Sequence, residues 1–181
     1  MAEDEALRLN SLISKVIDHT KLDSKAHVLN KERIILYKLL EDVYSKLELK
    51  ALEKKISFDI QINKSVTIYA DPVYIFGVIY NILDNSIKYA GNNTIVEILT
   101  EEDESFMKLF ISDNGPGIPE EYIPKLFDAF FRVPQGNTHN VKGFGLGLSY
   151  ALQVMKEHDG RIEVKNNPEA GCTFILSFPK N

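Results

Sequence analysis

The sequence predicts an α+β fold: a two-layer α/β sandwich in which a mixed sheet carries helices on one face, preceded by an N-terminal helical extension. Three observations lead there. Residues 38–54 and 72–89 place apolar side chains at spacings of three and four, the period of helices that bury one face. Residues 56–62, with Ile56, Phe58, Ile60 and Ile62 between polar neighbours, have the period of two of a strand buried on one side. Short strand-like runs then alternate with helical patterns to the C-terminus, which is the order of a layered α/β structure.

Taken in order, residues 5–22 carry Leu9, Leu12, Ile13, Val16 and Ile17, a stripe suited to packing against another helix. Residues 25–36 read as a connector. The helix over 38–54 presents Leu39, Leu40, Val43, Leu47 and Leu52, and Val66–Ala70 follows the strand over 56–62 as a second short strand. Asp71-Pro72 is a helix start, an N-cap carboxylate before a proline at the first helical position. That helix runs to Tyr89 and stops before Gly91-Asn92-Asn93. Thr94–Thr100 and Phe106–Ser112 are strands joined by the acidic turn Glu101–Glu104. Residues 113–142 hold four Pro and three Gly and show no long period, and a loop of that length is usually functional. Gly145–His158 reads as a helix, and 161–165 and 172–178 as a closing pair of strands.

The chain of 181 residues has room for one domain and an extension, and 44% hydrophobic residues suffice for a core. A net charge of −5, from 21 basic and 26 acidic side chains, argues against nucleic acid as the partner. One cysteine, Cys172, and four histidines exclude a disulfide framework and a multi-cysteine zinc site. No apolar run approaches the roughly 20 residues of a membrane span. The acidic start Met1-Ala2-Glu3-Asp4-Glu5 is unlike a secretion signal.

Three segments carry chemistry. On the helix over 72–89, Asn81, Asn85 and Lys88 share one face. Amide oxygens and an ammonium on one stripe suit a metal-bound polyphosphate, although a solvated polar face has the same pattern. Asp113-Asn114-Gly115-Pro116-Gly117-Ile118 follows a strand. A carboxylate there can accept a hydrogen bond from an exocyclic amine, and glycines let backbone approach a planar ring. The same string also reads as a tight turn. Gly143-Phe144-Gly145-Leu146-Gly147-Leu148 opens a helix, where bare amides favour phosphate; by itself it also reads as a flexible loop end.

In this order and combination the segments resemble the ATP-binding domain of two-component sensor histidine kinases. That domain is part of the superfamily that includes type II topoisomerase and heat-shock chaperone ATPases. Asn81-Ile82-Leu83-Asp84-Asn85-Ser86-Ile87-Lys88-Tyr89 resembles the N box, and Asp113 to Ile118 the first glycine box. Leu126-Phe127-Asp128-Ala129-Phe130-Phe131-Arg132-Val133 resembles the F box, and Gly143 to Leu148 the second glycine box. Glu157-His158-Asp159-Gly160, Gly171-Cys172-Thr173-Phe174 and Phe178-Pro179 continue the likeness, which covers residues 30–180.

The resemblance implies ATP and Mg²⁺ as ligands. Asp113 would meet the adenine amino group, with Gly115, Gly117 and Ile118 beside it. Asn85 would hold the metal, with Asn81 in the phosphate region. Lys88 would reach the phosphates, and Tyr89 would pack near the base. Gly143, Gly145, Leu146, Gly147 and Leu148 would form the phosphate-side loop. Residues 118–142 would be a mobile lid anchored by Phe127 and Phe130, with Arg132 offered to phosphates or to a partner helix. Asn81, Lys88 and Arg132 would thus be the catalytic set.

Residues 1–24 resemble only the second helix of the family's dimerisation and phosphoacceptor module, leaving 25–36 as connector and 37–181 as the catalytic domain. The acceptor string of the first helix is missing, and His19 reads as a helix-end residue. Asn81 stands where hydrolytic relatives carry a glutamate. The expectation is therefore a kinase catalytic domain whose partners are the phosphoacceptor helix, a response regulator, and a second copy through the N-terminal helix. It would work in the cytoplasm, including as the cytosolic portion of an inner-membrane sensor. The alternatives are a nucleotide-binding docking domain without transfer, a hydrolytic ATPase, and, more weakly, a structural domain whose motifs are turns.

Overall fold

The computed structural model describes residues 28–134 and 143–180. The expected helix over 5–22 and the lid tip at 135–142 lie outside the described residues. The order of elements is β1 (Glu32–Ile35), α1 (Leu36–Glu53), β2 (Ser57–Gln61), β3 (Thr67–Ala70), α2 (Pro72–Tyr89), β4 (Ile95–Glu102), β5 (Phe106–Asp113), a 3-10 turn (Glu120–Lys125), α3 (Gly147–Glu157), β6 (Arg161–Asn166) and β7 (Cys172–Pro179).

Five strands form one mixed sheet in the order β2-β4-β5-β7-β6, with β2 parallel to β4 and the other neighbours antiparallel. The α2 crossover makes the parallel pair reachable, since parallel neighbours cannot be joined by a tight turn. The helices cover one face. Leu36, Leu40, Val43 and Leu47 of α1, Ile75, Ile79, Ile82 and Leu83 of α2, and Val154 and Met155 of α3 are buried with Val96, Ile98, Leu109, Ile111, Leu176 and Phe178 of the sheet. The expected two-layer sandwich is therefore present.

Two expectations need correction. The span read as a connector contains β1, which pairs antiparallel with β3 in a separate ribbon, so β3 is not a strand of the main sheet. In the expected helix over 145–158, the helix begins only at Gly147, because Gly145 takes a left-handed φ of +72° that no helical residue adopts. Within the 113–142 loop, the 3-10 turn follows directly on Pro119.

The α2 start is as the sequence predicts. Asp71 Oδ1 accepts from Val73 N–H at 3.0 Å, and Pro72 follows it. The same side chain accepts from Asn30 N–H through Oδ2 at 2.9 Å. The Asp71 N–H donates to His158 Nε2 at 3.0 Å, and His158 Nδ1–H donates to Val154 O at 2.8 Å. His158, at the end of α3, is thus a buried, fully partnered neutral imidazole. Burial pushes its pKa down, and the nearby Lys31 charge adds to that.

Candidate functional site

The alternation that buries Leu109 and Ile111 puts Asp113 on the same side of β5. Its carboxylate therefore ends the strand facing the gap between sheet and helices. Asp113 is buried; Oδ1 accepts from Gly115 N–H at 3.0 Å, and Oδ2 lies 3.4 Å from Cys172 Sγ. Burial, followed by the Asp113 charge, pushes the Cys172 thiol well up. The thiol is therefore a donor to the carboxylate.

One pocket opens beside this carboxylate. Its α2 wall is Asn81, Asp84, Asn85, Lys88 and Tyr89; its loop wall is Gly143 to Leu148; Pro116, Gly117, Ile118, Cys172 and Phe174 line the sheet end. The three segments singled out in the sequence are thus brought together, and Arg132 joins them at the rim. Arg132 Nη1 donates to Gly143 O at 3.2 Å, and Phe130 N–H donates to Gly145 O at 2.9 Å, sewing the lid base to the glycine loop. A Cβ on Gly145 would lie 2.7 Å from the Phe131 carbonyl oxygen. Gly147 sits against Asn81, so α3 starts at the amide face of α2. No described side chain caps that helix start, which leaves its first amides for a ligand.

Two expected residues fall elsewhere. Gly115 is outside the pocket lining, packed against the backbone of Ala90, where it fixes the turn after Asp113. Phe130 is 64% exposed with φ +65°. That left-handed backbone turns its side chain out, and Phe131 lines the pocket in its place, tilted on Tyr122 with centroids 6.0 Å apart. Phe127 packs on the core as expected.

Three contributors escaped the sequence reading. Asp84 stands in the same stripe as Asn81 and Lys88, at a spacing that could have flagged it. It pairs with Lys88 one turn on and with Lys50 of α1 at 2.8 Å. Burial pushes the Asp84 carboxyl up, but the two lysines outweigh it and hold the group below the usual carboxylate range. Asn166 holds Ile118 at both ends, accepting from its N–H at 2.8 Å and donating to its carbonyl at 2.6 Å. Cys172 stands in the sequence as a lone cysteine and as part of the Gly171–Phe174 string, with no role at the site read from either. For the last two, only the folded register reveals the contact.

A metal would find hard donors in the Asn81 and Asn85 amide oxygens. Among the described residues no group of three His, Cys, Asp or Glu side chains could hold one. The donor set fits a magnesium ion that takes one or two protein oxygens and the rest from phosphate and water.

The sensor protein RprX of Bacteroides fragilis is 33% identical over 180 residues, covering 97% of this chain and 34% of that protein. Sensor protein SrrB of Staphylococcus aureus is 30% identical over 177 residues, covering 98% and 30%. The chain thus spans about a third of the length of these relatives. The nucleotide-free catalytic domain of histidine kinase ThkA superposes with a TM-score of 0.73 at 30% identity, covering 84% of this chain and 99% of that one. ThkA in complex with the response regulator TrrA gives 0.78 at 28% identity, covering 99% and 49%. The model of the histidine kinase-, DNA gyrase B- and HSP90-like ATPases matches residues 70–181, a span that holds every wall of the pocket, and the chain belongs to that family.

Proposed function

We infer that this chain binds Mg-ATP in the pocket and serves as the catalytic domain of a sensor histidine kinase. It would transfer the γ-phosphoryl group to a histidine of a phosphoacceptor helix, with a response regulator as the next acceptor. The observation that carries the reading is the buried Asp113 carboxylate, facing the same pocket as the Asn81–Asn85–Lys88 stripe and the uncapped start of α3.

Each part has a physical task. Asp113 accepts the adenine amino group, held in place by Gly115 N–H and the Cys172 thiol. The first amides of α3 and the Lys88 ammonium receive phosphate oxygens. Asn85, with Asn81 beside it, holds Mg²⁺, which when bound neutralises charge on the phosphates. Phosphoryl transfer asks the protein mainly for such positioning and charge neutralisation. A hydrolytic reading would need a carboxylate base at the phosphate end. The wall offers Asp84 there, but Lys50 holds its Oδ1 whether or not Lys88 has turned to phosphate, and a carboxylate paired with a cation is a poor acceptor for a proton from water. The titratable work of the site therefore falls to the incoming histidine.

The test is calorimetric titration with ADP and Mg²⁺. Asp113→Ala removes a buried charged hydrogen bond, a loss of roughly 1.5–3 kcal/mol, so affinity should fall tenfold or more. Equal affinity for wild type and variant would overturn the reading.

A further inference from the structure

Asp84 is the one carboxylate in the α2 wall of the pocket. Its side chain is 11% exposed and bridges two cations on different helices. Lys88 shares the pocket wall with it. Lys50 comes from α1 behind the wall, half exposed, outside the lining, with its ammonium also over the Tyr80 ring. A polyphosphate entering the pocket competes with Asp84 for Lys88. Were Lys88 to turn to phosphate with no other cation nearby, Asp84 would be left as a buried, unpaired carboxylate facing a second anion, which is costly. Lys50 on Oδ1 removes that cost, because it stays behind when Lys88 leaves.

Building on the nucleotide reading above, we propose that Lys50 and Asp84 form an exchange latch. Lys88 passes from Asp84 to the ligand phosphates, and Lys50 remains as the counter-ion of the vacated carboxylate. Lys50 is then a positioning residue that never touches the ligand, and Asp84 sets the charge cost of admitting phosphate.

The latch makes an ordered set of expectations. Lys50→Met should weaken ADP binding about fivefold, the effect of one half-exposed ion pair, and Lys50→Arg should bind as wild type. Adenosine, which carries no phosphate, should bind Lys50→Met and wild type alike. Asp84→Asn should bind ADP at least as well as wild type, because Lys88 is released. Adding Asp84→Asn to Lys50→Met should restore the lost affinity, since no charge is left to balance. The measurements are calorimetry with ADP and Mg²⁺, and chemical-shift titration with adenosine as the control for pocket integrity. Unchanged ADP affinity in Lys50→Met, an equal loss for adenosine, or a double variant as weak as Lys50→Met would each overturn the latch. So would a magnesium-dependent loss in Asp84→Asn, which would make the carboxylate a metal ligand. Failure of the nucleotide reading would show in the wild type itself, which would bind no ADP; failure of the latch shows only in the variants.

Discussion

Gly171 does not line the pocket, yet a single methyl group there should disable it. Its φ is +83°, and a Cβ would lie 1.8 Å from the Asp113 carbonyl oxygen, 2.6 Å from that carbonyl carbon and 2.9 Å from Asn114 Cα. The obstruction is backbone, so no side chain can swing aside. Asp113 O is further boxed in by Asn167 Nδ2, which donates to it at 3.0 Å. In Gly171→Ala the left-handed conformation costs about 1–2 kcal/mol and the forced separation about 1–3 kcal/mol, together roughly 2–5 kcal/mol. For a domain of this size that lowers Tm by on the order of 10 °C. The strand end carrying the Asp113 carboxylate must shift, so ADP affinity should drop at least about tenfold as well. Thermal unfolding and ADP calorimetry on the same preparation read both effects. A Tm within about 2 °C of wild type, with ADP affinity intact, would refute the claim that this backbone contact holds Asp113 in register.

Two further outcomes follow from the site and its support. Asn85→Ala should weaken nucleotide binding in Mg²⁺ while leaving metal-free binding much less affected; equal losses in calorimetry with and without EDTA would make Asn85 a contact to the nucleotide and not to the metal. His158 has its folded pKa lowered by burial, so as pH falls the unfolded chain takes up the proton first. Its contribution to stability is full above the ordinary histidine value of about 6.5 and is lost over the pH range below it. Chemical denaturation of His158→Gln across that range should show a shallower loss than wild type, and an identical slope would exclude this histidine as the source.

The strength of the local signals decided what the sequence revealed. Asp71-Pro72 starts α2 by capping chemistry that acts within three residues, so the helix is where the pattern puts it. The long strands β4, β5 and β7 announce themselves by short, largely apolar runs bounded by turn residues. β1 was lost because only Ile34 of its four residues is buried, and its partner β3 lies over thirty residues away. The pocket walls were legible because each motif carries its own chemistry. The contacts that tune them were not. Lys50 meets Asp84 across 34 residues, and Cys172 meets Asp113 across 59. Such distances carry no period, and only the packing of α1 on α2 and of β7 on β5 brings the partners together. Phe130 and Phe131 show the same limit at short range: which of two adjacent phenylalanines faces inward is set by one backbone torsion.

The three-way tie at Asp71 has a mechanical consequence. Its carboxylate grips the Asn30 amide and the first turn of α2, and its own amide grips His158 at the far end of α3. Lys31 reaches Asp159 just beyond, at 3.4 Å. The chain therefore enters the domain with no slack: from Asn30 onward it is bolted to the ends of two rods, and the opposite ends of those rods are the asparagine–lysine stripe and the glycine loop. A displacement of Asn30 is therefore passed through Asp71 to the ends of both rods.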